Sequence, residues 1–383
     1  MKNKFIKFIP AAVFLVFTFA FCIMFFVLPK SDFSQSEKRY LADTPKFTVD
    51  NLLSGGLVKE IDGDSDLGKV GYVADHFPMR SFFVGLNSYY NLSYGNTANN
   101  DYYFGKDGFI ITKPYETNRL DTNINVVNSF AEDMNVTLAI VPSAGYVLED
   151  KLPLNHISYK DAEVYAELKA KLSDSVEYCD MENAMKAYYE STTSPYYRTD
   201  HHWTTPAAHF AYRNLGDVMG YVPSGDSVYE KAKQEGFYGT TYSSSGYFLT
   251  KPDTLEIWKN PYTESAVNVE ISEGGFSESY DSMFFESHLS EPDMYPVFLD
   301  GNHALVKITN PNAAEGKLLV VKDSYAHALV PFLADNYSEI VMVDMRYFKE
   351  SVSELCESEG ITDALILYSI SNFCTDTGLA FLE

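Results

Sequence analysis

Two short segments hold residue types that, if brought together, would make an acyl-transfer site. The first is YYRTDHHWTTPAAHFAYRNL, residues 196–215. Thr204 or Thr205 suits a helix N-cap, Pro206 suits a first turn, and AAHFAYRNL has helical character. Asp200 and His202 therefore fall in the loop before a helix. Two residues apart in extended chain, their side chains leave on one side. A carboxylate there accepts from one imidazole nitrogen, fixes the tautomer, and leaves the other nitrogen as a base. The second segment is GKLLVVKDSYAHALVPFLADNY, residues 316–337. A buried strand runs into Asp323 and Ser324, and a helix is expected after them. That puts Ser324 at the C-terminal edge of a sheet, where α/β ligand sites form. A helix N-terminus there would favour a developing oxyanion.

Each segment also has a plain structural reading. An Asp-Ser pair after a strand is a common helix cap, and D-x-H before a helix can do the same work. His201, His202 and His209 raise the question of a metal. Adjacent histidines point differently and His209 falls inside the helix, so no metal and no cofactor are expected.

Elements able to position these residues are legible as apolar runs. VTLAIV (136–141), SVEYC (175–179), KLLVV (317–321), EIVMV (339–343) and DALILY (363–368) alternate with helical stretches. That pattern predicts a parallel sheet covered on both faces, a flavodoxin-like α/β sandwich. YYFGKDGFII (102–111) reads as a β-hairpin around Gly-Lys-Asp-Gly, and a helix is expected near 117–134. The run LGKVGYVADHFPMRSFFVGLNSYY is helical in pattern but broken at Pro78. Residues 222–310, rich in Gly, Ser, Tyr and Thr, predict a mostly β insertion that walls the site. Three regions result: an anchor at 1–30, a stalk with N-terminal helices at 31–100, and a catalytic domain at 101–383.

The anchor is FIPAAVFLVFTFAFCIMFFVLP, 22 uncharged residues at positions 8–29. It is long enough to cross a bilayer. Lys2, Lys4 and Lys7 precede it, which predicts a cytoplasmic N-terminus and an exported remainder. The run exceeds a signal-peptide core, and no small-x-small site follows it. From residue 31 onward 25 basic and 53 acidic residues leave a net charge of −28. Such a surface repels nucleic acid and disfavours a strongly anionic polymer. Cys22, Cys179, Cys356 and Cys374 match no disulfide or zinc spacing. The 29 Tyr and 27 Phe suit sugar stacking, although most aromatics fill cores.

Taken together, TDHHWT, VVKDSYA and PFLADNYSEIVMVDMRYF resemble the DHHW protein family. That family is related to the alginate acetylation proteins AlgJ and AlgX, with SGNH-hydrolase-like domains. SEKRYLADTPKF, VADHFPMRSFF, DYYFGKDGFII, FYGTTYSSSG and VFLDGNHALVKI extend the likeness through nearly all of the exported part. In those relatives Asp-x-His precedes the serine, so the fold implied is a circularly permuted SGNH sandwich. Carried onto this chain, Asp200 orients, His202 is the base and Ser324 the nucleophile. The resemblance also implies oxyanion donors: Asn372 in SISNF, and the Ser324 or Tyr325 backbone N–H. Arg346 and Tyr347, after EIVMV, and the competing Asn302 are substrate-binding candidates. Unlike the alginate proteins, this chain ends soon after its last strand, which leaves no expected carbohydrate-binding module.

The function so implied is O-acetylation of a cell-surface or exported polysaccharide outside the cytoplasm. A membrane-bound O-acyltransferase (MBOAT) partner would supply acetyl groups. Two rivals share the residues. With water as acceptor the triad is an esterase; without chemistry the protein is a polymer-binding assembly subunit.

Overall fold

The apolar N-terminal run forms one helix, α1 (Lys2–Val27). Within it Phe8–Val27 is 20 residues of mean hydropathy 2.5, enough for a bilayer of about 30 Å. Among the described residues it is the one helix that meets that test. The computed structural model describes residues 2–382, with side chains from Phe8 onward. The Lys2, Lys4 and Lys7 side chains lie outside that description.

The chain divides into two compact units. Residues 1–96 with 246–249 make the first. Most of residues 31–100, the expected stalk with N-terminal helices, lies in this unit. Buried Asp75 takes both arms of the Arg39 guanidinium at 3.0 and 2.5 Å and the Ala42 N–H at 2.9 Å. The helical pattern around Pro78 splits into a single turn, Tyr72–Asp75, and α2 (Arg80–Ser93). Pro78 has no N–H to donate, and Met79 follows it at φ 60°, outside the helical region.

The second unit holds residues 97–245 and 250–383. Its sheet has eight strands: β1 (Asn135–Val141), β2 (Val176–Cys179), β3 (Asn268–Glu273), β4 (Phe276–Tyr280), β5 (Leu305–Thr309), β6 (Lys317–Lys322), β7 (Glu339–Val343) and β8 (Asp363–Ser369). They lie in the order β4-β3-β5-β7-β6-β8-β1-β2. The five apolar runs of the sequence are the parallel strands β7, β6, β8, β1 and β2. Successive residues of β6 enter opposite cores: Leu318 and Val320 one, Leu319 and Val321 the other. That two-sided burial is why these strands read as continuous apolar runs. Helices α3 (Leu120–Phe130) and α4 (Asp161–Lys171) cover one face with later helices α7 (Val352–Glu359) and α8 (Ile370–Thr375). Between them in sequence, α5 (Met181–Ser191) and α6 (Thr205–Met219) cover the other.

The expected β insertion divides in two. Glu230–Phe237 and Asp253–Lys259 pair as a separate hairpin. By contrast β3, β4 and β5 extend the main sheet antiparallel from β7. Val269 and Ile271, like Val306 and Ile308, are buried at every second position. That alternation suits a sheet with one covered face.

Candidate active site

Ser324 stands where β6 leaves the sheet, and it is half-buried at the C-terminal edge. Asp323 before it is fully buried and accepts three bonds. Its Oδ1 takes the Tyr325 N–H at 2.9 Å. Its Oδ2 takes the Ser369 N–H and the Asn372 side-chain amide, each at 2.8 Å. The carboxylate thereby ties the serine turn to the turn after β8. A regular helix was expected after Ser324; the chain instead makes a 3₁₀ turn, Ser324–Ala328, then one turn, Val330–Leu333. Pro331 cannot donate the bond that would carry an α-helix through. A long helix dipole is thus not available to an oxyanion here.

The other two residues arrive on the loop before α6. Thr204 caps that helix through the Ala207 N–H at 3.4 Å, and the Tyr197 N–H donates to the His202 carbonyl at 3.2 Å. The loop is folded back on itself, and both acid and imidazole point toward β6. His202 Nδ1–H donates to Asp200 Oδ1 at 2.5 Å, and Ser324 Oγ–H donates to His202 Nε2 at 2.7 Å. These distances define one tautomer: proton on Nδ1, lone pair on Nε2 facing the serine. Asp200 also accepts from the His202 N–H at 2.9 Å, and from the Thr240 N–H and hydroxyl at 2.7 and 3.0 Å. Burial alone would raise the Asp200 carboxyl. The His202 and His201 rings, with these donors, outweigh it and hold the acid well below the ordinary carboxylate value.

Packing holds the imidazole from its flat side. Tyr295 stacks on His202 with ring centres 3.8 Å apart and planes within 8°. Trp203 is fully buried and donates to the Tyr325 carbonyl at 3.1 Å. Behind the acid, Gly239 leaves no room for a side chain: a Cβ there would lie 2.1 Å from Asp200 Cβ. His201 points away from the serine and donates to Thr240 Oγ1 at 2.7 Å. Burial and the His202 ring push it down to about 4, although 41% of its side chain is exposed and solvent softens the shift. Donor atoms of Asp200, His201 and His202 lie within 4.8 Å of one another, a spacing that a metal ion also uses. Both His202 nitrogens and the His201 Nδ1 are already hydrogen-bonded.

The remaining candidates have separate fates. The Tyr325 N–H is spent on Asp323. Asn372 gives one amide N–H to the same acid and keeps the other. Arg346 binds Asp344 through Nε at 2.8 Å and Nη2 at 2.6 Å, and reaches Asn302 Oδ1 at 3.2 Å. Tyr347 lies half-exposed under that guanidinium, 5.4 Å from it. Beneath them is a buried network that the sequence reading missed. Lys322 Nζ donates to Asp344 at 3.1 Å and to His327 Nε2 at 2.8 Å. His327 therefore carries its proton on Nδ1, which is buried with no hydrogen-bond partner among the described residues. The available signal was a Lys closing an apolar strand, with His five residues on. Tyr295 and Gly239 gave no local signal, because both reach the triad from distant sequence.

On the Asp200 and His201 side a cleft of about 330 Å³ is lined by Tyr102, Tyr159, Asp200, His201, Tyr325 and Asn372, among others, while Ser324 and His202 lie outside its lining. Hydroxyls and ring faces dominate it. The DHHW family pattern matches residues 117–343, which span the triad and most of the sheet. The chain belongs to the DHHW protein family.

Among solved structures, a DHHW family protein from Eubacterium siraeum is similar at 24% identity and TM-score 0.61, covering 73% of this chain and 97% of that one. Bacillus cereus PatB1 with a sulfonyl adduct is similar at 20% identity and TM-score 0.62, with the same coverage. Both show a shared fold. The O-acetyltransferase domain of Pseudomonas putida AlgJ aligns at 13% identity and TM-score 0.46 over 72% of this chain and 92% of its own, too loosely to carry argument. No match was found among curated proteins.

Proposed function

We propose that this DHHW protein is a membrane-anchored, extracytoplasmic O-acetyltransferase that esterifies hydroxyls of a cell-surface or exported polysaccharide. The observation that carries the reading is the unbroken line from Asp200 through His202 to Ser324. As Ser324 Oγ attacks an acetyl carbonyl, its proton passes to His202 Nε2. The tetrahedral oxyanion is met by the Ser324 N–H, which has no acceptor among the described residues, and by the second amide N–H of Asn372. Collapse expels the donor's oxygen, which takes the proton from His202 and leaves acetyl-serine. A sugar hydroxyl then gives its proton to His202 and attacks the acetyl carbon, and collapse releases Ser324 Oγ, which takes that proton back from His202. Asp200, kept ionised, stabilises the imidazolium at each step.

Support for the acceptor class comes from the aromatic, hydroxyl-rich cleft and from the family resemblance. The order Asp-x-His before Ser fits a circularly permuted SGNH fold. A membrane-bound O-acyltransferase partner would deliver acetyl groups, since acetyl-CoA is not found outside the cell. PatB1 was captured as a sulfonyl adduct, and an activated Ser324 should take up a sulfonyl fluoride in the same manner.

The test uses the full chain in detergent with p-nitrophenyl acetate. Intact mass should show one acetyl adduct on the wild type. Ser324→Ala should abolish it, and His202→Ala should slow its formation roughly 10³-fold or more. Acceptor oligosaccharides should then divert acetyl from water to sugar. Adduct turned over only by water, whatever the acceptor, would make the protein an esterase. No adduct on folded wild type, with or without a sulfonyl fluoride, would leave a non-catalytic assembly subunit.

A further inference from the structure

Helix α2 is apolar on both sides. Its inward side holds buried Gly85 and Ser88 with half-buried Phe83, Val84, Tyr89 and Leu92, and segment 246–249 of the same unit packs there. A Cβ on Gly85 would touch Phe248 at 3.4 Å, and one on Gly246 would lie 2.4 Å from Ser88 Oγ. Its outward side carries Phe82 (56% exposed), Leu86 (52%), Tyr90 (55%) and Tyr94 (73%). Four-residue spacing lines these up as a single stripe. A surface helix of a water-soluble domain keeps its apolar stripe on the core and polar residues on the opposite side. Scattered exposed apolar residues need no explanation, but a continuous row does.

The anchor shows what covers the stripe. Phe21 of α1 packs on Phe77 and Phe83, with ring centres 5.4 and 5.7 Å apart, and Phe25 packs on Tyr72 at 6.1 Å. Phe21 precedes the end of the apolar span by six residues, about 9 Å along a helix axis. The start of α2 is thus held beside α1 at that depth. Charge agrees. In a chain of net charge −24, residues 76–100 contain no Asp or Glu. The one charged side chain on α2, Arg80, is paired with Glu37. Tyr90 and Tyr94 at its far end are the residue type that bilayer interfaces favour.

We propose that α2 is an interfacial membrane helix whose Phe82, Leu86, Tyr90 and Tyr94 stripe lies in the headgroup and upper acyl region of the lipid bilayer that α1 crosses. It rests on reading α1 as a retained span. Interfacial helices sink about 5–10 Å, which matches the depth of Phe21. The lipid contact would hold this unit flat on the membrane in a way that a single span cannot.

The experiment places nitroxide labels on the full chain, in a Cys22→Ser background, in nanodiscs of phosphatidylcholine and phosphatidylglycerol. The labelled positions are Phe82→Cys, Leu86→Cys and Tyr90→Cys. Val16→Cys in α1 and Lys69→Cys serve as lipid and water references. Each labelled chain is used only if its thermal midpoint matches the parent. Power saturation then compares access of oxygen with that of a water-soluble nickel chelate. Oxygen-favoured readings at all three α2 positions, shallower than at Val16→Cys, are expected. Nickel-favoured readings there, with Val16→Cys still in lipid, would overturn the α2 proposal and leave the span intact. Nickel access at Val16→Cys as well would overturn both. Labels immobilised and closed to both reagents would mean a protein covers the stripe, which also overturns it.

Discussion

Gly239 tests whether the acid must sit where it does. Its backbone is not in the left-handed region, so Gly239→Ala is opposed by sterics alone, through the 2.1 Å approach to Asp200. Displacing the carboxylate by a fraction of an ångström swings His202 off the Ser324 oxygen. We expect ester turnover to fall roughly 10²-fold with a stability loss of about 1–3 kcal/mol, read as kcat and thermal midpoint on the same sample. His327 makes a pH prediction. Burial, then the charge of Lys322 and the His202 ring, push it well below the ordinary histidine value. An unfolded histidine takes a proton near pH 6.5 while the folded ring stays neutral. Below that pH the unfolded chain binds more protons, so stability is full above it and falls as pH drops, by about 1.4 kcal/mol per unit. His327→Gln cannot titrate, and its urea-unfolding free energy should vary less between about pH 5 and about pH 6.5 by that slope.

At the scale of elements, Asp323 joins the ends of β6 and β8. Three donors converge on a carboxylate with no exposed surface. Asp323→Ala leaves all three unpaired in the interior, each worth about 1–3 kcal/mol. Urea denaturation should show a loss of roughly 3 kcal/mol or more. Any folded fraction should acetylate slowly, because the serine turn has lost its clamp. Asp323→Asn keeps one acceptor oxygen but turns an amide toward donors, and should fall between alanine and wild type on both measures. The short 3₁₀ turn after Ser324 belongs to the same device: Asp323, rather than a helix dipole, orders the amides around the nucleophile.

For the whole molecule, the proposed function makes charge a test of which polymer is accepted. Residues 31–383 carry −28, so an anionic glycan would approach against a long-range field. Its KM should fall as salt rises from about 10 to about 150 mM and the Debye length contracts from about 30 to about 8 Å. The KM for a neutral glycan of equal length should stay flat. A KM that rises with salt for the anionic polymer would show a local basic groove overriding the field.

The sequence by itself determined the parallel core. Strands buried on both faces must be continuous apolar runs, and each of the five is recognisable without its neighbours. It also determined the apolar N-terminal helix and the start of α6, which rest on local composition and capping chemistry. Asp200 and His202 were legible because their two-residue spacing places them on one side of a loop. Tertiary structure alone decided whether they meet Ser324, 122 residues away from His202 in the chain. It decided that β3, β4 and β5 join the main sheet, because an alternating strand can pair with any open edge. Gly239, Thr240 and Tyr295 came to the triad by the same route. The candidate oxyanion donors met other partners there too: Asp323 takes the Tyr325 N–H and one amide N–H of Asn372, and no local pattern records which acceptor a backbone amide will find once the chain is folded.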